Sequence, residues 1–218
     1  MESKTTHILE VSGEYACFTR PDLSAERYTY DTPTVSAMRS ILQSIYWKPQ
    51  FEWVITKIEI INPILRKSIF RNEISSRQSS RNGASPIDAQ ANRTQRMTTY
   101  LSNVRYRVHA YIRVLEHDHI PANKMSGAQM IAALIKHDSM FARRASKGQF
   151  FSQAYLGQRE FIATTRYITD LSAEPAPADI NNDYGMVAYD WDYHRGKGQR
   201  TRPKFGRAIV TNGNLEYV

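Results

Sequence analysis

The chain has 218 residues and a mass of 25.1 kDa, room for one large domain or a medium one with an appendage. Its 41% hydrophobic and 23% charged residues exclude wholesale disorder, and a single cysteine, Cys17, excludes a disulfide scaffold or a Cys-rich zinc module. Lys and Arg outnumber Asp and Glu by 29 to 21, and this net charge of +8 favours an anionic partner, nucleic acid ahead of an acidic membrane.

The N-terminus lacks the apolar core of a signal peptide and no apolar run reaches membrane-spanning length, so a cytoplasmic protein without membrane attachment is expected. Residues 7–18 are β-branched and aromatic in patches and predict a first strand. Thr32-Pro33 predicts an N-cap followed by a proline at the first helical position. Val35, Met38, Ile41, Leu42 and Ile45 then recur at helical spacing until Pro49. Residues 51–61 predict a second strand. From Val104 to Val114, apolar residues alternate with Arg105, Arg107, His109, Tyr111 and Arg113, a strand with one buried and one basic face. In 124–145 the residues Met130, Leu134, His137 and Phe141 share one helical face, with Gly148 just past the end. Residues 161–168 predict another strand, Glu174-Pro175-Ala176-Pro177 a linker, and 186–193 and 207–210 short terminal strands. The order strand, helix, strand, strand, helix, strand is that of a ferredoxin-like α+β domain, the architecture of RNA-recognition domains whose open sheet face binds RNA. The expected organisation is a domain over 1–170 with a basic insertion at 66–103, then a linker and small β region over 171–218.

The basic residues are clustered. Residues 66–107 hold nine cations against Glu73 and Asp88, residues 195–207 hold six with no acid, and 136–166 hold six against Asp138 and Glu160. Three basic blocks on an otherwise acidic chain resemble a footprint for a polyanion. The first block is poor in large apolar residues between Arg71 and Thr99. It reads as a solvated loop or as an arginine-rich arm or hairpin that orders on RNA, and the two are compatible.

No nucleotide-binding signature occurs. Gly196-Lys197-Gly198 is a loop that could face a phosphate, and His117-Asp118-His119 has too few companions for a metal site. Metal-free RNA cleavage remains, in which the adjacent 2′-hydroxyl attacks the phosphate while side chains move protons and balance charge. Histidine suits the proton work and a cation the charge. Lys136-His137 offers both, although His137 also fits a packed histidine at the core edge and Lys136 lies about 100° round the helix. His109 is a competing base, and Tyr46-Trp47 fit a hydrophobic end to the first helix. Spacing alone leaves these alternatives open.

Longer blocks are more specific. Gly13-Glu14-Tyr15-Ala16-Cys17-Phe18-Thr19-Arg20-Pro21, Ser44-Ile45-Tyr46-Trp47-Lys48-Pro49, Arg93-Thr94-Gln95-Arg96, His137-Asp138-Ser139-Met140-Phe141-Ala142-Arg143-Arg144 and Tyr155-Leu156-Gly157-Gln158-Arg159-Glu160-Phe161 occur in order. The set resembles the CRISPR-associated Cas-five family of type I-C (Dvulg) systems, in the RAMP superfamily. The resemblance implies a ferredoxin-like fold with an inserted basic hairpin and a small C-terminal β region. It implies a metal-independent endoribonuclease, without cofactor, that cuts the repeat hairpin of pre-crRNA to leave a 2′,3′-cyclic phosphate. Such a protein stays on the 5′ handle of the crRNA beside the backbone and large subunits of its complex, with target DNA as a further partner. The alternative is a non-catalytic RNA-binding scaffold. The catalytic trio of the family falls here on Tyr46, Lys136 and His137. The expected RNA contacts are Arg27, Lys48, Arg71, Arg77, Arg81, Arg93, Arg96, Arg105, Arg107, Arg143, Arg144, Lys147, Arg159, Lys197 and Arg200.

Overall fold

A computed structural model describes residues 1–23, 26–80, 86–115, 127–192 and 201–218. The elements run β1 (His7–Ala16), β2 (Arg27–Tyr28), α1 (Val35–Ile45), β3 (Phe51–Ile60), β4 (Leu65–Ile74), β5 (Arg93–Val114), α2 (Gly127–Ser146), β6 (Thr164–Ile168), β7 (Asn182–Asp192), β8 (Arg202–Thr211) and β9 (Asn214–Tyr217). Four of the strands pair antiparallel in the order β6-β1-β5-β3, the ferredoxin-like arrangement that the sequence order predicts. The C-terminal strands do not form a separate layer. They continue the same sheet past β3 in the order β9-β8-β7.

Alternation in the central strands puts Leu9, Val11, Trp53, Tyr106, Val108, Ala110 and Ile112 on one face. Met38, Ile41, Leu42 and Ile45 of α1 and Leu134, Phe141 and Ala145 of α2 complete this core. Each large side chain buried there contributes about 1.5–3 kcal/mol relative to exposure. The cap of α1 differs from the expectation. Thr34, not Thr32, is the N-cap, its hydroxyl accepting from the Ala37 N–H at 3.2 Å, and Pro33 lies outside the helix. At the far end of α2, Gly148 has φ +62, its N–H reaches the Ala145 carbonyl at 3.2 Å and the Gln149 N–H reaches Arg144 at 2.9 Å. That is a Schellman ending, and it needs the glycine.

The basic insertion is a hairpin. β4 pairs with the N-terminal half of β5 from Leu65/Ser102 to Ile74/Arg93, so β5 runs unbroken for 22 residues from the hairpin into the middle of the sheet. Where β5 exchanges its β3 neighbour for β4, Asn103 adopts φ +53, and the Asn62 amide donates to its carbonyl at 2.9 Å. Asn is among the few non-glycine residues that tolerate this left-handed region.

The second face of the sheet is not the open RNA platform that the fold class suggests. Arg107, expected to contact RNA, is 4% exposed. It lies between Glu10 and Glu59 in the cross-strand register, bonds Glu59 at 2.6 Å and donates to the Pro175 carbonyl at 2.9 Å. Arg105 and Arg166 hold Glu10, and Arg166 also holds Glu174. The Ala178 N–H then bonds the Ile60 carbonyl at 2.9 Å. Residues 174–178 therefore cross the sheet from β6 to β3 and close it over the charged ladder. A strand of alternating arginines reads as a solvated basic face until the acids on its neighbours are known.

Replacing Arg107 by Met should leave the buried Glu59 with Lys57 and the neighbouring His109 alone and the Pro175 carbonyl without its donor, a loss of about 3 kcal/mol. Arg105→Met should cost under about 1 kcal/mol, because its pair is more exposed and Arg166 still holds Glu10. Urea-denaturation midpoints of the two variants check this; equal losses would contradict it.

Candidate active site

Tyr46 is the first residue past α1. Its N–H closes the last turn on the Leu42 carbonyl at 3.0 Å, and its extended backbone turns the ring out of the helix. The Trp53 indole donates to the Tyr46 carbonyl at 3.0 Å. The ring is 4% exposed, packs against Phe51 at 5.6 Å and has the Arg144 guanidinium over it at 5.9 Å. From this position the Tyr46 hydroxyl reaches His137 Nδ1 at 2.9 Å. The structure thus joins two of the three expected catalytic residues across 91 positions of sequence.

His137 is half-buried against Phe51, with ring centroids 5.0 Å apart. The core-edge reading is met by the packing on Phe51, and the ring remains partly exposed. Burial, aided by the neighbouring Lys136 and Lys48 cations and opposed by Asp138, holds its pKa below the ordinary histidine value. Burial pushes the Tyr46 phenol up, against the pull of Arg144. At neutral pH the pair is therefore a neutral imidazole and a protonated phenol. Lys136 is exposed beside them on α2.

Asp138, next in sequence, faces inward. Its carboxylate accepts from Ser3 Oγ at 2.5 Å and meets His7 Nε2 at 2.9 Å, and His7 Nδ1 meets the Tyr167 hydroxyl at 3.0 Å. His7 is buried between Phe141 and Trp53. This buried tether fixes α2 on β1 and β6, one residue from His137. Sequence reasoning passed over it; the available signal was His7 sharing the alternation of Leu9 and Val11, which puts it on the core face.

His109, the competing base, lies on the opposite sheet face near Glu59, with burial depressing its pKa. It cannot act with Tyr46. The expected RNA contacts divide by their partners. Arg27, Arg71 and Arg96 interlock with Glu73 and Glu160 where the hairpin meets β2 and the 157–160 turn. Arg105 and Arg107 are held by the sheet ladder. Among the described residues, Lys48, Arg77, Arg93, Arg143, Lys147 and Arg159 are exposed and have no ion pair, and Lys48, Lys136 and Arg144 lie near the Tyr46–His137 pair. Arg81, Lys197, Arg200 and the His117-Asp118-His119 run lie outside the described residues. Among the described residues no three His, Cys, Asp or Glu side chains group as a metal site would. A neutral imidazole bonded to a phenol, with three cations nearby, is equipped to move a proton beside a phosphate.

The chain is 36% identical to the CRISPR pre-crRNA endoribonuclease Cas5d of Mannheimia succiniciproducens, over 95% of this chain and 92% of that one. It is 33% identical to the protein of the same name from Thermus thermophilus, over 93% and 81%. A crystal structure of a CRISPR-associated protein superposes with a TM-score of 0.71 at 22% identity, covering 100% of this chain and 93% of the other. A chain of a CRISPR RNA-guided surveillance complex shares the fold more distantly, with a TM-score of 0.52 at 14% identity over 94% and 91%. A family model described as CRISPR-associated protein (Cas_Cas5) matches residues 6–215, and the chain belongs to the Cas5d family of CRISPR-associated proteins.

Proposed function

We propose that the chain is the endoribonuclease that cuts the repeat hairpin of pre-crRNA in a type I-C system, without a metal ion, at Tyr46, His137 and Lys136. The observation that carries the reading is the 2.9 Å bond between Tyr46 and His137 with the Lys48, Lys136 and Arg144 cations beside it. With His137 Nδ1 donating to the phenol oxygen, Nε2 presents a lone pair and the Tyr46 O–H is free to donate; this tautomer is the one a base requires. His137 takes the proton of the 2′-hydroxyl, the 2′-oxygen attacks the adjacent phosphorus and the bond to the 5′-oxygen breaks. The 5′-oxygen takes up a proton, leaving a 2′,3′-cyclic phosphate and a 5′-hydroxyl. Lys136 balances the charge that builds on the phosphoryl oxygens, and Tyr46 orients the imidazole and donates to the reacting group. After the cut the protein stays on the 5′ handle, in the cytoplasm, as a subunit of the crRNA complex. The arginines near the hairpin, Arg77, Arg93 and the Arg27–Arg71–Arg96 cluster, hold the RNA backbone there.

Repeat RNA incubated in EDTA should be cut once, and a 2′-deoxy substitution 5′ of the scissile phosphate should abolish the cut. His137→Ala should lower the rate by about 10²–10⁴-fold, as loss of a proton-transfer group does. Retained cleavage by His137→Ala, or intact RNA in EDTA, would overturn the assignment.

Since the reactive form is the neutral imidazole and burial and Lys136 lower its pKa, the acidic limb of the rate profile should lie below the histidine value of 6.5. Lys136→Gln removes one of those causes and should move the limb upward while lowering the plateau. Single-turnover rates between about pH 5 and 8 read both.

Contact with about six phosphates should make log affinity fall against log salt with a slope of roughly −4 for single-stranded RNA. Lys48→Ala and Arg143→Ala should each reduce the slope, whereas Arg107→Met should not. A salt-independent affinity would contradict the electrostatic reading.

A further inference from the structure

A groove runs beside the Tyr46–His137 pair, between the end of α1 and the segment that follows α2. It encloses about 630 Å³, within the range of sites that take small ligands (about 300–1,000 Å³). Two large aromatic side chains line it and neither enters the core: Trp47 is 51% exposed and Phe151 84%. The Phe151 segment is fastened to the helix that carries the tyrosine. The Phe151 N–H donates to the Ser44 carbonyl at 2.7 Å and the Ser152 N–H to the same carbonyl at 3.3 Å. These bonds satisfy a carbonyl that the end of α1 would otherwise leave without a donor. Lys48 and Arg144 also line the groove, and the same Arg144 guanidinium covers the Tyr46 ring. Gln43 adds an amide on the α1 wall.

We propose that this groove binds the base of an unpaired nucleotide next to the scissile phosphate, stacked on Trp47 and Phe151, with Lys48 and Arg144 on its phosphate. The inference rests on the ribonuclease reading and gives it a subsite. Exposed aromatic faces with cations beside them are the chemistry that single-stranded RNA uses: the rings take the base and the cations the backbone. A paired base has both faces covered within the stack and cannot offer one to these rings. The groove therefore selects a nucleotide that has left the hairpin stem or flanks it. A continuous stem cannot fill it. Its position against Arg144 also draws the sugar-phosphate backbone across the Tyr46–His137 pair, so that an unstacked base fixes which phosphate is cut.

The test uses the full chain and repeat RNA made uncleavable by the 2′-deoxy substitution, with 2-aminopurine placed in turn at each nucleotide flanking the cut. One flanking position should be quenched on binding. Trp47→Ala and Phe151→Ala should each abolish that quenching and weaken binding by about 5- to 150-fold, the span of one lost base stack. Trp47→Phe should restore most of the affinity. On cleavable RNA the alanine variants should raise KM more than they lower kcat, and the cut should lose its single position. His137→Ala should keep the quenching while losing cleavage. Quenching and affinity unchanged in both alanine variants, at unchanged melting temperature, would overturn the proposal and leave the ribonuclease reading intact. So would wild-type RNA binding by both variants combined with failure to assemble with a partner subunit, which would make the groove a protein contact. Quenching by a wild-type chain that does not cut would sustain the groove and defeat the ribonuclease reading.

Discussion

The guanidinium of Arg107 has been taken out of water in the middle of a sheet, and the structure around it supplies a partner to each of its two terminal nitrogens. Glu59 supplies the charge from β3 and the Pro175 carbonyl reaches it from beyond β6. An arginine buried without them would cost several kcal/mol. Meeting that demand holds the 174–178 segment across the sheet, which in turn seats Ala178 on β3 and delivers the chain to β7. It also decides where RNA can go. With the second face closed over Glu10, Arg107 and Glu59, the polyanion is left the helix side, the hairpin and the rims.

On that helix side the Tyr46–His137 contact depends on two backbone endings agreeing. α1 must stop at Ile45 for the Tyr46 ring to leave the helical path, and α2 must lie at the depth where His137 meets the phenol. The first is secured by the Trp53 indole and the Phe51 ring. The second is secured by the buried contacts of Asp138 with Ser3 and His7. The two side chains meet at 2.9 Å, and each is anchored to a different strand of one core. The two residues of this contact are thus outnumbered by those that hold them.

Much of this was legible beforehand, and the reasons are specific. Helical spacing in α1 and α2 and alternation in β5 gave the ferredoxin-like order directly, because a period depends only on the chain itself. The motif blocks pointed to Tyr46, Lys136 and His137. Arg107 was misleading because its neighbours in space, Glu10 and Glu59, are 97 and 48 residues away in sequence, and alternation cannot say whether a polar face is wet. The same distance hid the His7–Asp138 contact. The helix start slipped by two residues because Thr32-Pro33 and Thr34 are both acceptable caps, and the Tyr217 hydroxyl, 184 residues away, donates to the Pro33 carbonyl and holds that residue outside the helix.

Asn103 has one more consequence. β5 is about 70 Å of continuous backbone at roughly 3.3 Å per residue, clamped between β1 and β3 at one end and free of β3 at the other. Its single left-handed residue sits where the β3 pairing ends. β1 continues along β5 past this point to Leu101, β2 holds Thr98 and Thr99, and Arg27 and Arg71 tie the root of the hairpin to Glu160. The bend at Asn103 is therefore braced on the side that β3 leaves, and the base of the hairpin keeps the orientation of the sheet it grows from.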